Sequence, residues 1–275
     1  MIGKTNWRRY LHEIRKREID LVFSLLPAKH FVCGLEIGAG DGYQTTLLAS
    51  RVEKLISSDL NFRRIKESLK LPDVEYQAVD ADAIEGVFKP NTFDLIFSSN
   101  VLEHVRDPSK VLKSTLPMLA DSGYAVHIIP SRPIKIFYLL FYYPSLLLLA
   151  MDRIWGKLQG KPIFRGASIN LENNINTSHL ATSSPSGFWG KLRRHLFPKP
   201  HGNFPTHYSE FIAFGRKQWE LQFAKAGYLV FSYAKGPVFS GYGFGFGFLR
   251  RALERLGVSS EHIFILQKRP SKTIL

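Results

Sequence analysis

The residues best suited to chemistry gather in one short segment, LEIGAGDG at positions 35–42. Gly38, Gly40 and Gly42 let the backbone turn tightly there and approach a ligand where a Cβ would clash. Glu36 puts a carboxylate just before the first glycine. Asp59 closes the second apolar run, where an acid can accept from both hydroxyls of a ribose. Asp82, followed by Ala83, stands past the third run, where it can accept from an adenine amino group; Asp80 is its rival. Such acids at the carboxyl ends of successive strands lie where open α/β sheets bind ligands. The spacing is G-x-G-x-G with Tyr43 next, which departs from the dinucleotide fingerprint G-x-G-x-x-G. Taken alone, the segment also suits a plain strand-to-helix turn.

These residues need a frame, and the hydrophobic pattern supplies one. Apolar positions Ile14, Ile19, Leu21, Leu25 and Leu26 recur at helical spacing before Pro27, so a helix is expected over about 7–26, covering one edge of the domain. Short apolar runs follow at 31–37, 54–58, 74–79, 93–98 and 124–129, separated by amphipathic stretches at 43–51, 63–69 and 108–119. That alternation predicts parallel strand–helix–strand units with right-handed crossovers. After Pro130 the rhythm breaks into an apolar run, 134–151, and then a polar, loop-rich stretch to about His207. A helix over 208–226 ended by Gly227, a strand over 228–233, a helix near 249–256 and a strand over 262–267 complete the pattern. A glycine–aromatic stretch, GYGFGFGF, lies at 241–248.

Four segments together carry a family likeness. LEIGAGDG, SSDL (57–60), VDADAI (79–84) and FDLIFSSNVLEHV (93–105) resemble the successive motifs of class I S-adenosylmethionine-dependent methyltransferases. The nearest likeness is to the small-molecule group that includes the ubiquinone and menaquinone biosynthesis methyltransferases, and it covers about residues 31–130. It implies an α/β fold with a Rossmann-like seven-stranded sheet, the last strand antiparallel, helices on both faces and an inserted lid after the fifth strand. The whole chain, 1–275, then reads as a single domain. It comprises an N-terminal helical extension (1–30), a cofactor-binding half (31–130), an apolar and basic insert or lid (131–207) and the C-terminal half of the sheet (208–275). By position, the resemblance implies that Gly38, Ala39, Gly40 and Gly42 cradle the methionine part of S-adenosyl-L-methionine. Glu36 would fix the loop or the ligand's amino group, Asp59 with Leu60 the ribose, and Asp82 with Ala83 the adenine edge. Asn100 would sit near the methionine end. Asp82 is preferred to Asp80 because its eleven-residue step to Phe93 matches the family better.

Methyl transfer from a sulfonium is an in-line displacement that depends largely on positioning. A base is needed only where the acceptor must lose a proton, as a hydroxyl must. Two histidines are candidates for it. His104, in NVLEHV, follows the fourth strand near the expected acceptor side, and His201 lies in the loop PKPHGNFPTHYSEF before a helix. Each also has an ordinary structural reading. An E-x-x-E-H segment binds a metal in some methyltransferases; here Asn100 takes the first acidic position, so no metal is expected. His127 alternates within a strand and reads as buried structure. Cys33, the single cysteine, lies inside a strand, reads as an inert thiol, and fits a reduced cytosolic setting without disulfides.

The net charge is +14, and the stretch 131–207 holds ten basic residues against two acids. Next to that charge the apolar run 134–151 carries one cation, Lys135, and a central Pro144. At 18 residues the run is borderline for a span, which needs ~20. It suits a re-entrant, interfacial or packed segment, with Tyr138, Tyr142 and Tyr143 at a headgroup boundary. The expectation is a lid lying on an anionic membrane at its cytoplasmic face and admitting a small-molecule or lipid-linked acceptor, with O-methylation the reaction. The competing reading is a helical cap over the site. Nucleic acid is disfavoured: SSNVLEH stands where base N-methylation places an Asn/Asp-Pro-Pro-Tyr/Phe segment, and no Pro-Cys nucleophile exists. RNA or protein methylation, or a non-catalytic cofactor-binding subunit, are the alternatives.

Overall fold

The computed structural model describes residues 7–61, 65–159, 200, 204–239 and 247–270. Its frame is a seven-stranded sheet in the order β3-β2-β1-β4-β5-β7-β6. The strands are β1 (Phe31–Ile37), β2 (Val52–Asp59), β3 (Val74–Ala78), β4 (Phe93–Ser99), β5 (Leu119–Pro130), β6 (Tyr228–Lys235) and β7 (Glu261–Lys268). β1 to β5 pair in parallel, while β7 runs antiparallel to both β5 and β6. The order reverses between β1 and β4, which opens a crevice at their carboxyl ends.

Seven helices are described: α1 (Trp7–Leu25), α2 (Tyr43–Ala49), α3 (Pro108–Thr115), α4 (Arg132–Gln159), α5 (His207–Ala213), α6 (Arg216–Ala226) and α7 (Gly247–Arg255). The period-two alternation of the strands divides the core. Leu35, Ile37, Ala125 and Leu266 face α3 and α6 through Val111, Leu112, Trp219 and Phe223. Phe97, Val126, Ile128 and Ile265 face α1 and α2 through Val22, Phe23, Leu26 and Leu48. A third cluster, Tyr10, Ile14, Ile134, Phe214 and Phe239, joins α1, α4 and α5.

Three expected elements differ, each for a local reason. The helix expected to reach 119 stops at Thr115, because Pro117 has no N–H to continue it and its ring clashes with the preceding turn. Leu119 instead pairs with Phe93 at the start of β5. The helix expected over 208–226 is two, broken at Gly215, which takes an extended backbone (φ −76, ψ 133). A Cβ there would lie 2.6 Å from the Arg132 guanidinium, so the break also admits the base of α4. In place of the helix expected over 63–69, the described part forms only a 3-10 turn at Glu67–Leu69.

The 134–151 run lies wholly inside α4. Ile134, Lys135 and Tyr142 are buried, whereas Ile136, Leu139, Leu140, Tyr143, Leu147 and Met151 are exposed. Among the described residues no helix is long and apolar enough to cross a membrane.

Candidate active site

The glycine segment forms a notch at the tip of β1. Gly38, Gly40 and Gly42 have φ of 80°, 60° and 85°, a region that side chains with a Cβ enter at a cost. The N–H groups of Gly38 and Ala39 both donate to the Ser58 carbonyl, at 2.7 and 3.0 Å, which folds the notch against β2. A Cβ on Gly38 would lie 2.3 Å from Val101 Cγ2, so Gly38 is also required by the close approach of the loop after β4. Above Gly40 a Cβ would meet nothing within 4 Å among the described residues, and that open side is where a ligand can lie against backbone.

Carboxylates rim this notch. Asp59, buried at the tip of β2, accepts from Gly40 N (2.9 Å) and Asn61 N (2.8 Å). A carboxylate has about four acceptor sites, so two remain for hydroxyls. Leu60 beside it is 70% exposed. Glu36 is buried below the notch and accepts from Thr45 Oγ1 (2.6 Å) and Ser57 Oγ (2.8 Å). Burial pushes its carboxyl up to about 7 despite these two donors. Asp41 is raised by burial but more strongly lowered by Lys66 Nζ (2.9 Å) and His12 Nε2 (3.2 Å). His12 stacks on Tyr43 at 3.8 Å, tying α1 to the start of α2.

The acids after β3 are given different tasks. Asp80 Oδ1 accepts from Asp82 N (2.9 Å), and Ala83 N donates to the Asp80 carbonyl (2.9 Å). Asp82 turns away to accept from Arg106 N through both oxygens, at 2.9 and 3.1 Å. It thereby anchors the loop that follows NVLEHV. Both Asp82 and the Ala83 N–H are thus engaged within the chain.

The segment after β4 is a turn closed by His104 N donating to Val101 O (2.8 Å). It sends neighbouring side chains opposite ways: His104 is exposed and Glu103 buried. The Glu103 carboxylate has no side-chain hydrogen-bond partner among the described residues, and His104 Nε2 stands 3.8 Å away, beyond hydrogen-bond reach. Burial pushes Glu103 up to about 8. His127, as expected of buried structure, donates or accepts at Ser98 Oγ (2.7 Å) and stacks on Phe223. Cys33 is held up by burial, an inert thiol. His201 lies outside the described residues.

Sequence reasoning missed the group that closes the site from above. Arg15 on α1 donates through one nitrogen to both oxygens of Glu18 (2.9 and 2.8 Å) and to Ser99 Oγ (3.0 Å). The same nitrogen approaches Glu261 Oε1 at 3.4 Å. Asn100, in the left-handed region at φ 54°, donates from Nδ2 to Glu261 Oε1 (2.8 Å), and Gln44 donates to Glu18 (3.1 Å). Glu18 and Glu261 are fully buried. One signal was available: Glu18 interrupts the apolar stripe Ile14, Glu18, Val22 at helical spacing, and an acid in such a stripe needs a buried partner.

Residues 35–127 match the family model described as a methyltransferase domain. The ubiquinone biosynthesis O-methyltransferase of Albidiferax ferrireducens is 24% identical over 140 residues, 48% of this chain and 54% of that protein. The mitochondrial arginine-hydroxylase NDUFAF5 of Mus musculus is 32% identical over 115 residues, 42% of this chain and 33% of that protein. The chain spans about half the length of the curated relatives it matches first. A putative S-adenosylmethionine-dependent methyltransferase from Listeria monocytogenes superposes with a TM-score of 0.53 at 13% identity, over 93% of this chain and 98% of that one. That likeness is one of fold. The family match falls on the strands that carry the glycine notch, so residues 35–127 are similar to a methyltransferase domain.

Proposed function

We propose that the chain transfers a methyl group from S-adenosylmethionine to a hydroxyl of a small-molecule or lipid-linked acceptor. The observation that carries this is the notch of three left-handed glycines with open space above Gly40 and Asp59 at its rim. When bound, the cofactor supplies an electrophilic methyl on a sulfonium. Gly38, Ala39, Gly40 and Gly42 hold its methionine end against backbone, and Glu36 braces the notch from below. Asp59 takes the ribose hydroxyls, and the exposed Leu60 packs on the adenosine. For the adenine amino group we favour Asp80 over Asp82, because both Asp82 oxygens already serve the Arg106 loop. Asn100 stands at the methionine end, fixed by Glu261. His104, exposed at the strand tip, takes the acceptor's hydroxyl proton, and His201 is the second candidate for that step.

A lid on an anionic membrane is part of the same reading. Its support is the exposed face of α4, where Ile136, Leu139, Leu140, Tyr143, Leu147 and Met151 recur at helical spacing as one apolar stripe. Radiolabelled methyl transfer to a lipid extract, compared with a soluble metabolite pool, tests the reaction. Label in the lipid pool is the expected result. Cofactor binding with neither pool labelled would leave a non-catalytic binding subunit, and label in added RNA or protein would replace the acceptor class.

A further inference from the structure

A cavity of about 570 Å³ opens between α1 and α7, away from the glycine notch. Its walls are unusually cationic: Arg17 from α1 and Arg250, Arg251 and Arg255 from α7, against Glu13 and Glu254. The acids are engaged. Glu254 accepts from Arg17 Nη2 (2.8 Å) and from Val238 N (2.8 Å), and Glu13 lies 3.5 Å from Arg9, which is outside the cavity. Arg251 and Arg255 have no carboxylate partner among the described residues. The Arg250 guanidinium lies over the Tyr10 ring, 4.3 Å from its centroid, and its buried Nε has no hydrogen-bond acceptor among the described residues. A buried donor left without an acceptor is costly, and a ligand oxygen would satisfy it.

We propose that this cavity binds the phosphate monoester or diphosphate group of the methyl acceptor. Three points narrow the ligand to that class. The lining carries two positive charges more than negative ones, which a dianion balances. Guanidinium forks match phosphate oxygens in pairs, better than they match an isolated hydroxyl or amide. The volume lies within the range of small-molecule sites, about 300–1,000 Å³. Position adds a fourth. Tyr10 and Ile14, which line the cavity, also belong to the apolar cluster with Ile134, Phe214 and Phe239. An anionic head held by the arginines would therefore have an apolar body beside it and the strand tips next along α1. This assignment rests on the methyl-transfer reading for the word acceptor, but the anion site stands or falls by itself.

Calorimetric titration of the full chain with inorganic pyrophosphate at fixed ionic strength tests it. Saturable binding is expected, weakened about tenfold or more in Arg250→Gln and in Arg255→Gln, since one charged hydrogen bond is worth about that factor. Lys16→Gln removes the same charge from α1 outside the cavity, where it pairs with Asp20, and should leave the affinity unchanged. Arg250→Lys keeps the charge and loses the fork; it should weaken binding too, and Arg255, being exposed, separates ligand loss from any folding defect at Arg250. Equal affinity in all variants, or no saturable binding, overturns the proposal. So does retention on phosphatidylglycerol vesicles without any pyrophosphate binding, which would make these arginines a membrane-facing surface. Titration with S-adenosylhomocysteine in parallel keeps the two ideas apart: its failure removes the methyl-transfer reading and leaves the anion site as measured.

Discussion

At the scale of single residues, the glycine notch makes the sharpest demands. Gly38→Ala puts a Cβ 2.3 Å from Val101 in a left-handed backbone. It should destabilise the fold by about 1–3 kcal/mol and weaken cofactor affinity, read by thermal melting and by S-adenosylhomocysteine titration. An unchanged affinity would place the ligand elsewhere. Glu103 gives a pH-dependent signature. Its carboxyl is raised by burial from 4.5 to about 8, so the folded chain keeps a proton that the unfolded chain releases. Its contribution to stability is complete below about 4.5 and is lost as pH rises through about 8. Urea unfolding at several pH values should therefore show a shallower fall for Glu103→Gln than for the parent over that window. Parallel curves would mean that water reaches the carboxylate. Of these residues, the glycines, Glu36 and Asp59 were legible from type and spacing. The different tasks of Asp80 and Asp82 were not, since they depend on backbone N–H groups of Arg106 and Asp107, more than twenty residues further on.

At the scale of elements, two buried ion pairs pin helices in place, one to the sheet and one to another helix. Arg15 and Glu18 hold α1 across the tips of β4 and β7. Lys135, the single cation of the apolar run, is buried against Glu210, so the base of α4 is fastened to α5 with His207 3.7 Å from the same carboxylate. Burial lowers the Lys135 ammonium and the pairing works the other way. Lys135→Met should cost about 3–5 kcal/mol in urea unfolding, because Glu210 stays buried without its cation. Lys135→Met with Glu210→Leu should recover most of that loss; no recovery would assign the cost to packing. Strand positions and the existence of α1, α2, α3 and α7 followed from periodicity, whereas α4 was only an apolar run whose conformation stayed open. Helix ends did not, because Pro117 and Gly215 act through a clash and a close approach that pattern alone does not weigh.

At the scale of the whole molecule, the sheet order and the antiparallel β7 agree with the resemblance read from four short motifs. What the motifs could not convey is the proposed acceptor side, because α1, α4, α5 and α7 come together there by contacts distant in sequence. The regional charge is a case in point: the arginine-lined cavity draws on residues 17 and 250–255, outside the stretch where basic residues are densest. If α4 rests on lipid, sedimentation with anionic vesicles should fall with added salt, over a Debye length of about 10 Å at 0.1 M. Leu140→Glu with Leu147→Glu should abolish it, as both side chains are exposed on the apolar stripe. Binding unaffected by both changes would leave α4 as a cap for another surface.

Arg15 and Glu261 are separated by 246 positions, and Asn100 and Glu261 by 161. A nascent polypeptide emerging from the ribosome therefore has its glycine turn long before the acid that steadies Arg15 and Asn100 is synthesised. Competence to hold the methyl donor should appear late, as a single step when β7 slots between its two neighbours, and a chain halted before Glu261 should leave Asn100 without its carboxylate anchor.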